Sequence, residues 1–150
     1  MLRDVVGQPK YRDMTQLRQL YNYTVENFSY LHRNLYEPGE TGWEAEEAYT
    51  MLSTGKGNCY NFAAVFGQLA RFLGFDAQIY SGTITGQAKR DADGEVLDTK
   101  RTPHAWVEIR DQGLPFIYDA EMEAGYNGQR SFFRVYDPVR WQKGYRSDFS

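Results

Sequence analysis

A single cysteine, Cys59, excludes an intramolecular disulfide and any zinc site built on several thiolates. Histidine is nearly as scarce: His32 and His104 are the only two. Long apolar runs are missing, and no stretch approaches the roughly 18 residues needed to span a bilayer. The segment Met1-Leu2-Arg3-Asp4-Val5-Val6-Gly7 lacks the apolar centre of a signal peptide. Two locations stay open, the cytoplasm or the cell exterior as part of a longer exported protein. Positive charge is not in excess either. Lys and Arg number 17 against 20 Asp and Glu, for a formal charge of -3, so neither nucleic acid nor an anionic membrane is an expected partner. There is no internal repeat and no low-complexity stretch.

What is present is a chain of 150 residues, 41% hydrophobic. That length predicts one domain with its own apolar core, centred on about 14–136, with a lead-in over 1–10 and a tail or covering segment over 138–150. Aromatic residues are abundant, with 12 Tyr and 9 Phe, which serve packing more often than they line a groove. Met14, Leu17, Leu20, Tyr21, Val25, Phe28 and Leu31 recur at helical spacing and predict an amphipathic helix over 14–31. A loop at 37–42 precedes a short helix over 44–52, with Ala45, Ala48, Tyr49 and Leu52 on one face. The strongest helical pattern runs from Cys59 to Leu73, through Phe62, Val65, Phe66, Leu69 and Phe72, with Gly74 as its stop. Beyond it the pattern turns to strands over 77–85, 104–110, 116–119 and 131–136. Helices first and strands second predict an α+β fold.

Gly55-Lys56-Gly57-Asn58 delivers Cys59 to the first turn of that apolar helix. A free thiol titrates near about 8.5, and a helix N-terminus favours the anion; its open N–H groups also suit an oxyanion. Gly55 and Gly57 are expected to supply the backbone angles for the sharp entry. A thiol nucleophile needs a proton carrier. In Pro103-His104-Ala105-Trp106-Val107-Glu108-Ile109, strand alternation puts His104, Trp106 and Glu108 on one face and the apolar residues on the other. His104 is therefore expected to look away from the core into a cleft. If Gln112-Gly113 is a two-residue turn, Asp111 faces Leu114 and Trp106 faces Asp119. His104 is then the diagonal neighbour of Asp119, within side-chain reach, and Asp119 can orient the imidazole. A slip of one residue would turn Asp119 to the other face.

Gly57-Asn58-Cys59-Tyr60-Asn61-Phe62-Ala63, followed by Leu69-Ala70-Arg71-Phe72-Leu73-Gly74-Phe75, resembles the nucleophile helix of the transglutaminase-like superfamily. Pro103-His104-Ala105-Trp106-Val107-Glu108-Ile109 resembles its histidine strand, and Tyr118-Asp119-Ala120 its aspartate strand. The resemblance covers about residues 14 to 120. It implies a papain-like α+β core with a cysteine helix packed on an antiparallel sheet. It also implies acyl chemistry through a thioester, with catalytic residues Cys59, His104 and Asp119 and no cofactor. The favoured reading is a peptidase or amidase acting on peptide or protein, cell-wall peptide included. The alternatives are a protein-glutamine acyltransferase and a non-catalytic module that binds peptide or cell wall. Family members often add an upstream tryptophan or glutamine to the oxyanion hole; Trp43 and Gln68 are nearby, but neither falls in a matching motif.

Other readings carry less. Cys59, His104 and Asp119 as three metal ligands lack a second nearby histidine. Asp91-Ala92-Asp93-Gly94 has the opening of a calcium loop without the remaining ligands. The charged stretch 87–102 is expected to be a surface hairpin, with a flap over the cleft as the alternative. Trp106 is placed either to shield the His104–Asp119 contact from water or simply to pack.

Overall fold

The computed structural model describes residues 14–31, 36–37, 40–85, 89–90, 96–98, 101–127, 131–143 and 145–146. The lead-in 1–10, His32 and the 91–94 turn lie outside them. Helix α1, Met14–Asn27, buries Leu17, Leu20, Tyr21 and Thr24 in the spacing of one helical stripe. It stops four residues short of the expected end. Ser29–Tyr30 (β1) leaves the helix to pair in parallel with Lys56–Gly57 (β2). Ser29 N–H now bonds Gly55 O at 3.0 Å, and Leu31 N–H bonds Gly57 O at 2.8 Å. Leu31, expected in the stripe, is exposed as a result.

Helix α2, Glu44–Thr54, presents a different face from the one its apolar residues predict. Glu47, Ala48 and Met51 are buried, while Ala45 and Tyr49 face solvent. The cause is Glu47. Its carboxylate accepts from Asn61 Nδ2 at 2.9 Å and from the Tyr36 hydroxyl, and these bonds turn the helix about its axis. Helix α3, Cys59–Phe72, is buried around most of its circumference. It ends at Gly74, which has φ 98°. Leu73 is buried but Phe72, expected beside it in the stripe, is exposed.

Five antiparallel strands form the main sheet: β3 (Asp76–Thr85), β6 (Arg101–Asp111), β7 (Leu114–Tyr118), β8 (Val135–Tyr136) and β9 (Tyr145–Arg146). Their order is β8-β7-β6-β3-β9. Between β3 and β6, Lys89–Arg90 (β4) and Val96–Asp98 (β5) pair with each other as a separate hairpin. The predicted strand over 131–136 shrinks to β8, because Arg134 takes a left-handed φ of 60° and Phe132 turns fully inward. The mixed helical and antiparallel architecture is the α+β class that the sequence predicts.

Two apolar clusters sandwich the sheet. Ala105, Val107 and Ile109 join α1, α2 and α3 in the larger one. Trp106 points the other way, into a smaller cluster with Ile84, Ile117, Phe132 and Tyr145. The alternation along β6 is as expected, but the His104 face does not open on a cleft. Its cover comes from chain beyond β7, including Tyr145, which is 1% exposed. The stretch from 138 onward thus includes covering structure: Asp137–Lys143 is a 3-10 segment leading to β9.

Helix α3 lies so close to β3 that a Cβ at Gly67 would sit 2.5 Å from Ile79 Cγ1. Gly67→Ala should therefore destabilise the fold by about 1–3 kcal/mol in urea unfolding. Combining it with Ile79→Ala, which removes the clashing atoms, should give a double mutant less destabilised than the sum of the two changes. Strict additivity would show that the contact is not what glycine serves.

Candidate active site

The start of α3 is held by a reciprocal lock. Asn58 Oδ1 accepts from Tyr60 N–H at 3.1 Å, and Asn61 Oδ1 accepts from Asn58 N–H at 2.8 Å. The Asn61 amide then donates to the Glu47 carbonyl and carboxylate at 3.0 and 2.9 Å, tying the lock to α2. Gly55 supplies the left-handed angle expected of it, φ 77°. Gly57 does something else: a Cβ there would lie 2.4 Å from Asn61 Cβ. It provides room for the lock rather than an unusual angle. Trp43 packs edge-on against Tyr60 at 5.0 Å and donates its indole N–H to Glu40 O at 2.8 Å, so it braces the helix entry. Gln68 lies about two and a half turns along α3 from Cys59, on another part of the helix.

The hairpin after His104 has the expected register. Gln112 and Gly113 both take positive φ, 53° and 82°, the pattern of a two-residue type I′ turn. Asp111 pairs with Leu114, and pairing runs on to Val107 and Tyr118. There β7 ends, and Asp119 becomes the N-cap of helix α4, Ala120–Gly125. Continuing the register sets Asp119 level with Trp106, and its Oδ2 meets His104 Nε2 at 2.7 Å. The same oxygen accepts from the Tyr145 hydroxyl at 2.6 Å, while Oδ1 accepts from Met122 N–H at 3.2 Å. Trp106 and Tyr145 rings lie 6.4 and 6.3 Å from the imidazole and cover it from water.

With Nε2 taken by Asp119, Nδ1 is the nitrogen left for the thiol. Cys59 Sγ lies within 4.8 Å of a His104 ring nitrogen. Cys59 belongs to the larger apolar cluster and Tyr145 to the smaller one. The thiol and imidazole meet where the two clusters join, past the end of β7. Burial of His104 opposes its positive charge. The Asp119 carboxylate, the nearby Cys59 sulfur and the hydrogen bond to Asp119 outweigh that, and hold the imidazole well above its ordinary value. The structure thus brings together all three residues singled out in the sequence.

Three further residues escaped the sequence reading. Tyr145 lies 26 positions from its partner Asp119, with no local signal. Tyr21 on α1 donates to Asp119 O at 3.1 Å and to Glu123 Oε1 at 2.8 Å. Glu121 places a carboxylate oxygen so that it, Cys59 Sγ and a His104 ring nitrogen all lie within 4.8 Å of one another. Its carboxyl is pushed up to about 6, chiefly by burial and further by Asp119, with His104 opposing. Asp119 followed by acidic residues in the next turn is a helix-start signal, and it was available to find Glu121. The thiol, imidazole and Glu121 carboxylate also have the donor types of a three-ligand zinc site. The set differs from the one considered in the sequence, with Glu121 in place of Asp119.

A family model described as the transglutaminase-like superfamily matches residues 2–120. The chain belongs to the transglutaminase-like superfamily. The fold of this transglutaminase-like domain is shared with solved structures. The periplasmic domain of TgpA from Pseudomonas aeruginosa is 22% identical, with a TM-score of 0.53 over 85% of this chain and 42% of that one. A Cytophaga hutchinsonii protein assigned as a cysteine protease is 18% identical, with a TM-score of 0.51 over 90% and 39%. The domain spans about two fifths of the length of these structures. No curated protein matches it.

The raised imidazole has a sign that can be checked. A proton held more tightly in the folded state stabilises it fully below about pH 6.5, the unfolded imidazole value. That contribution is lost as pH rises through the higher folded-state value. Asp119→Asn should bring the His104 titration, followed by NMR, down towards the ordinary range and flatten this limb of the stability profile. An unchanged titration would assign the proton's hold to another group.

Proposed function

We propose that this domain is a thiol-dependent acyl enzyme, a peptidase or amidase, in which Cys59 is the nucleophile, His104 the proton carrier and Asp119 the group that orients the imidazole. The observation that carries this reading is the alignment of the Cys59 thiol, within 4.8 Å of a His104 ring nitrogen, with the 2.7 Å bond from His104 to Asp119. Its sulfur end stands at a helix N-terminus. The superfamily match supports it.

The cycle follows from these positions. The imidazole holds the thiol proton, and the sulfur adds to a peptide or amide carbonyl, forming a C–S bond. The oxyanion is stabilised by the Cys59 backbone N–H, which the cap bonds to Asn58 and Tyr60 leave untouched. The imidazolium gives its proton to the leaving nitrogen, the C–N bond breaks and a thioester remains. Water then adds to the thioester, passing a proton to His104; the acid departs and the thiol is restored. An amine in place of water would complete acyl transfer instead. Asp119 keeps Nε2 protonated throughout, so that Nδ1 faces the sulfur.

Incubating the protein with a peptide library and a primary amine, followed by intact-mass measurement, tests this directly. A Cys59 acyl adduct that decays to acid supports the hydrolase, and decay to amide supports acyl transfer. Cys59→Ala should lose the adduct and all turnover with little change in unfolding midpoint. Tight peptide binding without any adduct would make the domain a binding module and overturn the proposal.

A further inference from the structure

Beside Cys59 lies a half-open cavity of about 670 Å³, bordered by the C-terminal end of α1 and the chain after it, by α3 and by α4. Its walls include Val25, Phe28, Phe62 and Ala124, with Ser29, Tyr30 and Asn127 adding polar atoms, and among the described residues the only charged side chain on it is Glu121. Phe62 is three residues after Cys59 on α3, so the cavity and the thiol share one helix face. The Glu121 carboxylate sits where the cavity meets the sulfur, within 4.8 Å of both Sγ and the imidazole. Asp119, its neighbour two residues back, has both oxygens hydrogen-bonded. Among the described residues no hydrogen-bond donor reaches the Glu121 carboxylate, and the His104 imidazole, within 4.8 Å, is the charge that favours its ionised form. A half-buried carboxylate with no hydrogen-bond donor of its own among the described residues is complementary to an N–H cation brought by the substrate.

The distance to sulfur decides which cation fits. The ammonium of a lysine-like side chain would have to fold back over several bonds to return to the reacting carbon. An α-ammonium is joined to that carbon through only two bonds of about 1.5 Å each. In a thioester it therefore stays beside the sulfur, where a carboxylate within 4.8 Å can accept its hydrogen bond. The side chain on the same α-carbon is then free to enter the apolar cavity.

We propose that Glu121 and this cavity bind the free α-ammonium group and the apolar side chain of an amino-terminal acyl residue, so that the domain prefers unblocked aminoacyl substrates. The inference rests on Cys59 being the nucleophile. Glu121 supplies the ion pair, the cavity takes the side chain, and the scissile bond is the first peptide or amide bond of the chain. An N-acylated residue loses the charge and forfeits the pairing. An ion-paired hydrogen bond of this kind is worth about tenfold or more in rate.

Alkylation of Cys59, followed by intact mass, tests the idea with three reagents: phenylalanyl chloromethyl ketone with a free amine, its N-acetyl form, and iodoacetamide. Wild-type protein should react about tenfold or more faster with the free amine than with the acetylated reagent. In Glu121→Gln that ratio should fall to near one, with iodoacetamide reporting separately any change in the thiol itself. Equal rates for the two ketones in the wild type, with rapid iodoacetamide labelling, would overturn this inference and leave the nucleophile standing. An equal slowing of all three reagents in Glu121→Gln would also overturn it, because Glu121 would then act on the thiol and imidazole. Wild-type Cys59 that reacts with iodoacetamide no faster than an ordinary thiol would remove the nucleophile, and this inference with it.

Discussion

Asp119 is bonded at every polar atom it owns, and the rest of the site hangs from those bonds. Its N–H donates to Phe132 O at 3.0 Å and its carbonyl accepts from Tyr21. One carboxylate oxygen takes the imidazole and the Tyr145 hydroxyl, and the other caps α4. A charge buried this deeply is tolerable only with such a set of donors. The donors come from α1, β6, α4 and β9, and the acceptor for its N–H from the chain before β8. Residues that look remote from Cys59 are therefore part of what fixes the imidazole in front of it.

The two carboxyl groups near His104 illustrate how environment divides one chemistry into two roles. Asp119 is saturated with donors and faces the ring. Glu121, two residues later, turns towards the cavity, and burial raises its carboxyl to about 6. Proximity to the imidazole alone would not distinguish them. What distinguishes them is the helix start: the N-cap geometry aims residue 119 at β6, and the first turn of α4 carries residue 121 round to the sulfur.

Much of this was legible in the chain. The apolar repeat of α3, the alternation along β6 and the Gln112-Gly113 turn together fix which side chains share a face, and they suffice to pair His104 with Asp119. Where the reading failed, a polar group had overridden the apolar pattern. Glu47 turned α2 by bonding Asn61, and the pairing of β1 with β2 ended α1 early. The cover over His104 was illegible for another reason. Tyr145 meets Asp119 from a stretch with no periodicity of its own, so alternation in β6 could say that His104 leaves the first core but not that a second one receives it.

The 98-residue separation between Tyr21 and Asp119 and the later arrival of Tyr145 bear on how the chain is made. Long loops must close before these contacts repay their entropy. During synthesis α3 emerges with its cysteine well before β6, α4 and β9 exist. A growing chain thus carries Cys59 without its histidine, and the histidine without its final clamp. The clamp on Asp119 is complete only once β9 docks, so a chain made as far as α4 carries Cys59, His104 and Asp119 without the Tyr145 hydroxyl that holds them.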